Sequence, residues 1–121
     1  MNLEVMSSSG SAAGEVSWIP YGTESMMLDL ENGRWLMLDK TVEEEHIMSL
    51  FAPCPWTLFE AAEQGLRNIS LRKRPAPAIA LGVHRNALVL SMNLGRNPPN
   101  TTLLDAAMQS LLRFLEVCLK S

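Results

Sequence analysis

Two histidines, His46 and His84, and two cysteines, Cys54 and Cys118, are the side chains of this sequence with the widest chemical reach. Imidazole and thiolate hold zinc when four of them converge, and structural sites show themselves as pairs only a few residues apart. No two of these four residues are spaced that way, so the pattern predicts a strand-start histidine, a hairpin-end histidine and two ordinary thiols. Carboxylates are more plentiful, with Asp29, Glu31 and Asp39 followed by the run Glu43-Glu44-Glu45. A solvated strand face and an acidic turn account for them, and nothing sets two of them in a cleft where a proton could be held and released near neutral pH. Gly-x-Gly-x-x-Gly, Walker A, Gly-x-Ser-x-Gly and His-Glu-x-x-His patterns are all missing from the sequence. The reading is a protein that is not an enzyme and has no cofactor and no metal.

Composition narrows the remaining classes. A chain of 121 residues with 47% hydrophobic and 19% charged residues can bury one core unaided. A net charge of −3 offers nothing for a phosphate backbone, and the cluster Arg72-Lys73-Arg74 is local, so nucleic acid is not an expected partner. No apolar run approaches the roughly 18 residues of a membrane span. The opening Met1-to-Gly14 stretch lacks the charged and apolar regions of a secretion signal, and two scattered cysteines suit a reducing compartment. A cytoplasmic location is expected.

The elements that must position these residues follow from punctuation and period. Residues 1–16 are rich in Ser, Gly and Ala and read as a flexible arm before a single α+β domain over 17–121. Asn32-Gly33 is the strongest short hairpin signal, because a type I′ turn needs positive φ at both central positions. Taken as that turn, it sets Leu30 opposite Trp35 and Leu28 opposite Met37. One face then carries Met26, Leu28, Leu30, Trp35 and Met37, and the other mixes Asp29, Glu31 and Arg34 with Met27, Leu36 and Leu38. A third strand is expected over His46–Ala52, ended by Pro53 and Pro55.

Thr57-Leu-Phe-Glu60 is a capping box and should start a helix with the stripe Phe59, Ala62, Leu66 and Ile69, Trp56 standing before it as a staple. Gly65 within it costs ~1 kcal/mol of propensity relative to Ala. Pro75 and Pro77 end this segment. A second hairpin turning at Arg85-Asn86 pairs Ile79, Leu81 and Val83 with Met92, Leu90 and Leu88, and puts small residues on its other side. A last helix, capped near Thr102, carries Leu104, Ala107, Met108, Leu111, Leu115 and Cys118 on one stripe. The order β-β-β-α-β-β-α predicts an antiparallel sheet of about five strands with helices packed on it.

This order, with the segment Pro77-Ala-Ile-Ala-Leu-Gly-Val-His-Arg-Asn-Ala-Leu-Val-Leu-Ser-Met-Asn-Leu94 before a capped terminal helix, resembles the type III secretion chaperone family. The meander from Met26 to Ala52 is similar to that family's opening strands. The resemblance implies a non-enzymatic dimer in the bacterial cytoplasm that binds a secreted effector or translocation component and keeps it soluble and export-competent. It implies dimerisation through the middle helix, here Trp56, Phe59, Ala62 and Leu66 with the second hairpin. The family usually opens with an amphipathic helix that residues 1–16 do not supply, so the resemblance leaves a homodimer and a heterodimer with a second chaperone both open. Eight methionines suit adaptable contacts. The half-polar face makes Met27, Leu36 and Leu38, with Ile47, the candidates for client contact. The alternative reading is a structural or scaffold subunit of a larger secretion assembly with no client cycle.

Overall fold

Alternating apolar residues on either side of Asn32-Gly33 pair as strands in the computed structural model, which describes residues 19–20, 25–71 and 78–120. The strands are β1 (Ile19–Pro20), β2 (Ser25–Asp29), β3 (Trp35–Lys40), β4 (His46–Pro53), β5 (Ile79–His84) and β6 (Ala87–Gly95). The helices are α1 (Leu58–Leu71) and α2 (Thr101–Leu119). All neighbouring strands are antiparallel, in the order β1-β2-β3-β4-β6-β5. Five of the six are the five strands expected, and the two-residue β1 adds a short edge beside β2. The arm expected over residues 1–16 and the basic loop Arg72-Lys73-Arg74 lie outside the described residues.

The first hairpin turns where expected but pairs differently. Asn32 and Gly33 take φ of 65° and 72°, and Arg34 N–H donates to the Glu31 carbonyl at 3.4 Å. It is Leu30 N–H, however, that donates to the Arg34 carbonyl, at 2.8 Å. Leu30 and Glu31 together therefore oppose Arg34, a bulge that slips the pairing by one residue. Asp29 now faces Trp35, Leu28 faces Leu36 and Met26 faces Leu38. Because side chains alternate, the slip exchanges the two faces of β3. Leu36 and Leu38, expected on the half-polar face, are fully buried, and Trp35 and Met37, expected on the face of Met26 and Leu28, point outward instead.

The second hairpin keeps its expected register, with Ile79, Leu81 and Val83 opposite Met92, Leu90 and Leu88. Val83 nevertheless remains 54% exposed, since it stands on the edge strand near the turn. The core joins Met26, Leu28, Leu36, Leu38, Met48, Leu50, Leu88 and Leu90 to Leu104, Leu111, Phe114 and Leu115 of α2. Phe114 belongs to the buried stripe although the sequence reading passed over it. The cap of α2 is Asn100 rather than Thr102: the Asn100 Oδ1 accepts from Leu103 N–H at 2.8 Å.

Helix α1 packs on α2, β5 and β6 through Ala61 and Gly65, flanked by Leu58, Ala62 and Ile69. At Gly65 the side chains of β5 and α2 press directly on the helix backbone. A Cβ there would lie 2.3 Å from Leu81 Cδ1 and 2.8 Å from Cys118 Sγ. The glycine that looks like a helix defect in the sequence is the contact that lets α1 settle against β5 and α2.

Candidate binding surfaces

Strand alternation leaves a second sheet face, and no outward-pointing strand residue shares the core with the helices. Its rungs follow from the pairing. Asp29, Trp35, Phe51, Val89 and Gly82 form one, and Met27, Met37, Ser49, Ser91 and Ala80 the next. A third runs through Ser25, Asp39, Ile47 and Asn93. Trp35 and Phe51 stack with centroids 5.0 Å apart and planes 3° from parallel. Beside them the Ser49 and Ser91 hydroxyls meet at 2.9 Å, which gives each a partner between the aromatic pair and Ile47. Ser25 Oγ donates to Asp39 Oδ1. Met27, Trp35, Met37, Ile47, Phe51 and Val89 are all half-buried, lying against their strand neighbours.

This geometry revises the expected client contacts. Met27 and Ile47 do stand on the outward face. Leu36 and Leu38 do not: both are 0% exposed and belong to the core, because the bulge at Leu30-Glu31 turned them inward. Trp35, Met37 and Phe51 occupy the surface in their place. The alternation Ile47, Ser49, Phe51 along β4 was the signal that could have drawn Phe51 into the reading.

The second surface lies on α1. Ala61 and Gly65 occupy the centre of its inward face, flanked by Leu58 and Ile69, and Phe59 and Leu66 fall elsewhere on the helix. Trp56 is 90% exposed, Phe59 89% and Leu66 53%, while Ala62 is half-buried at the margin of the core. Trp56, exposed to this degree, does not staple the start of the helix. The backbone does form there: the Thr57 carbonyl accepts from Ala61 N–H at 2.9 Å. Two bulky rings three residues apart are thus left in water, an unusual exposure of large apolar area.

The reactive side chains are occupied structurally. Cys54 and Cys118 are both free and buried. Burial pushes the Cys118 thiol up to about 11, with the nearby Cys54 adding to the effect, and burial also raises Cys54. Neither is poised as a nucleophile. His46 is buried at the start of β4, where its Nδ1–H donates to the Gly95 carbonyl at 3.1 Å. Its Nε2 meets no hydrogen-bond partner among the described residues. Among those residues no three His, Cys, Asp or Glu side chains converge as a metal site, and no helix is long and apolar enough to cross a membrane. A groove of about 350 Å³ between α1 and the end of α2 is lined by Thr57, Glu60, Glu63, Gln64, Cys118 and Lys120 among others.

No family model matches this chain, and no curated protein matches it. A solved structure does. A chain in the structure of the HopA1–SchA chaperone–effector complex superposes with a TM-score of 0.60, over 93% of this chain and 88% of that one, at 14% sequence identity. The likeness extends across nearly the whole of both chains, so the α+β fold with its antiparallel sheet and packed helices is shared.

Proposed function

We propose that this protein is a type III secretion chaperone, a non-enzymatic protein of the bacterial cytoplasm that binds a secreted effector or another secretion substrate and keeps it soluble and fit for export. The supporting observation is that a fold shared with a chain of a chaperone–effector complex turns two apolar surfaces away from its own core. The outward sheet face, with Met27, Met37, Trp35, Phe51 and Ile47, is the client surface in this reading. An extended or helical client segment laid on it would bury apolar area at about 25 cal/mol per Å² and order on binding. The methionines adapt their shape to different segments.

In the same reading Trp56, Phe59, Ala62 and Leu66 form the dimer contact, with a second copy or with a second chaperone. Trp56 and Phe59 would each contribute roughly 1.5–3 kcal/mol when buried. Two measurements test these roles. Light scattering should show a dimer at micromolar concentration that Trp56→Ala with Phe59→Ala converts to a monomer of unchanged circular dichroism. A monomer that the substitutions leave unaltered would remove the dimer contact. Co-expression with a secreted protein that is insoluble alone should bring that protein into the soluble fraction in wild type and not in Met37→Asp. A partner that stays bound in the finished assembly would instead mark the chain as a fixed subunit.

A further inference from the structure

Among the described strand residues, the outward sheet face carries two formal charges, the carboxylates of Asp29 and Asp39. The other described strand positions on it run through Ser, Met, Trp, Ile, Phe, Val, Ala, Gly, Pro and Asn, with His84 at the far end of β5 and no Lys or Arg among them. Asp29 ends the rung that holds the Trp35–Phe51 stack, and Asp39 lies two rungs away beside Ile47. Between them sits the Met27–Met37 pair. Neither carboxylate is engaged by a cation among the described residues, where the ion pairs are Lys40–Glu44 and Glu63–Arg67. Two rungs of pleated sheet and one strand spacing put the carboxylates about 14 Å apart.

We infer that this face selects an apolar segment of a partner protein that carries a cation on each side of its apolar centre. The inference rests on the client reading above and adds the chemical class of the client. About 14 Å corresponds to about four residues of extended chain or about nine of helix, so the two cations should recur at one of those spacings. The apolar centre would lie on the methionines and the stacked rings, with one flanking cation at Asp29 beside Trp35 and the other at Asp39. Charges at the margin of such a contact set which partner is accepted more than how tightly it is held, and they repel acidic segments of equal hydrophobicity.

The experiment uses the full chain and two synthetic peptides with the same apolar residues, one with lysines and one with glutamates at the two flanking positions. Titration calorimetry at low salt should show the lysine peptide binding roughly three- to tenfold tighter, the range expected of two exposed charge pairs. The preference should fall towards unity in Asp29→Asn with Asp39→Asn, and in high salt. The asparagine at 39 keeps an acceptor for the Ser25 hydroxyl, and a melting curve reports whether the double variant is folded. Equal binding of the two peptides, a preference that survives the double substitution, or no binding of either overturns the inference. If both bind equally and Met37→Asp abolishes both, the charge rule fails while the client surface stands. If Met37→Asp leaves lysine-peptide binding intact, the peptide binds elsewhere and the inference fails with its site. A face already covered by a second copy would show as a dimer weakened by Met37→Asp and indifferent to peptide, which also overturns it.

Discussion

Replacing Gly65 with alanine separates what the sequence implies from what the packing imposes. By propensity alone, alanine in the middle of α1 should stabilise the helix by about 1 kcal/mol. The added methyl carbon would stand 2.3 Å from Leu81 Cδ1 and 2.8 Å from Cys118 Sγ, with Phe114 at 3.7 Å. Cys118 is 2% exposed and held on α2, so it has little room to retreat, whereas Leu81 lies at the sheet edge and can turn. Overpacking of this kind costs typically ~1–3 kcal/mol, and subtracting the propensity gain leaves a net loss of about 1 kcal/mol. The decisive measurement is the same substitution made in a Leu81→Ala, Cys118→Ala background, where both obstructing atoms are gone. There only the propensity remains and Gly65→Ala should stabilise, so the sign reverses. Urea denaturation at fixed protein concentration reads both values, the concentration being held because any self-association would shift the midpoint. A Gly65→Ala single variant with a raised midpoint, or an equal effect in the two backgrounds, would refute the close approach of α1 to β5 and α2.

Three further outcomes test the register, the thiol and the cap. Leu38→Ala should cost roughly 2–5 kcal/mol as a core truncation while Met37→Ala stays below ~1.5 kcal/mol, the reverse of what the unbulged hairpin implies, and urea midpoints of the pair decide between them. The Cys118 thiol ionises near 11 in the folded chain against an ordinary value of 9.0, so the folded state keeps a proton that the unfolded state gives up. Its contribution is therefore intact below pH 9 and is lost as pH rises from 9 towards 11, by on the order of 2 kcal/mol, and Cys118→Ala should flatten the alkaline limb of the stability curve by about that amount. Asn100→Ala removes the acceptor for Leu103 N–H and should lower stability by ~0.5–2 kcal/mol, read from thermal or urea unfolding.

The two hairpins show how far a sequence carries its own structure. Around Arg85-Asn86 every pairing that places large residues together also agrees with the turn, so pattern and geometry have one solution. Around Asn32-Gly33 both faces of β3 are apolar: Trp35 and Met37 alternate with Leu36 and Leu38, and either set could face the core. The choice falls to a single hydrogen bond, Leu30 N–H to the Arg34 carbonyl, whose bulge no residue pattern announces. Phe59 and Leu66 were legible as an apolar stripe in the same way, but the sequence could not tell that Ala61 and Gly65 would take the inward face. Small residues win there because α1 must approach a sheet edge and a second helix at once, and large side chains would hold it off.

That choice has a consequence for how the two surfaces work together. Helix α1 packs on the side of the sheet where Leu81, Leu88 and Leu90 point, so the exposed Phe59 on it and Trp56 just before it belong to that half of the molecule. Met27, Met37 and the Trp35–Phe51 stack point to the opposite side. A partner seated on α1 therefore need not cover the outward sheet face, and under the proposed function dimerisation and client binding would not compete for the same atoms. In thermodynamic terms the two equilibria should be nearly uncoupled, since coupling requires that one ligand distinguish states that the other also distinguishes. Trp56→Ala with Phe59→Ala should then shift the dimer dissociation constant while leaving the affinity of each protomer for the lysine peptide within about twofold. A parallel loss of both would mean that the client surface is completed only across the dimer, and that the α1 rings and the sheet face are parts of one site.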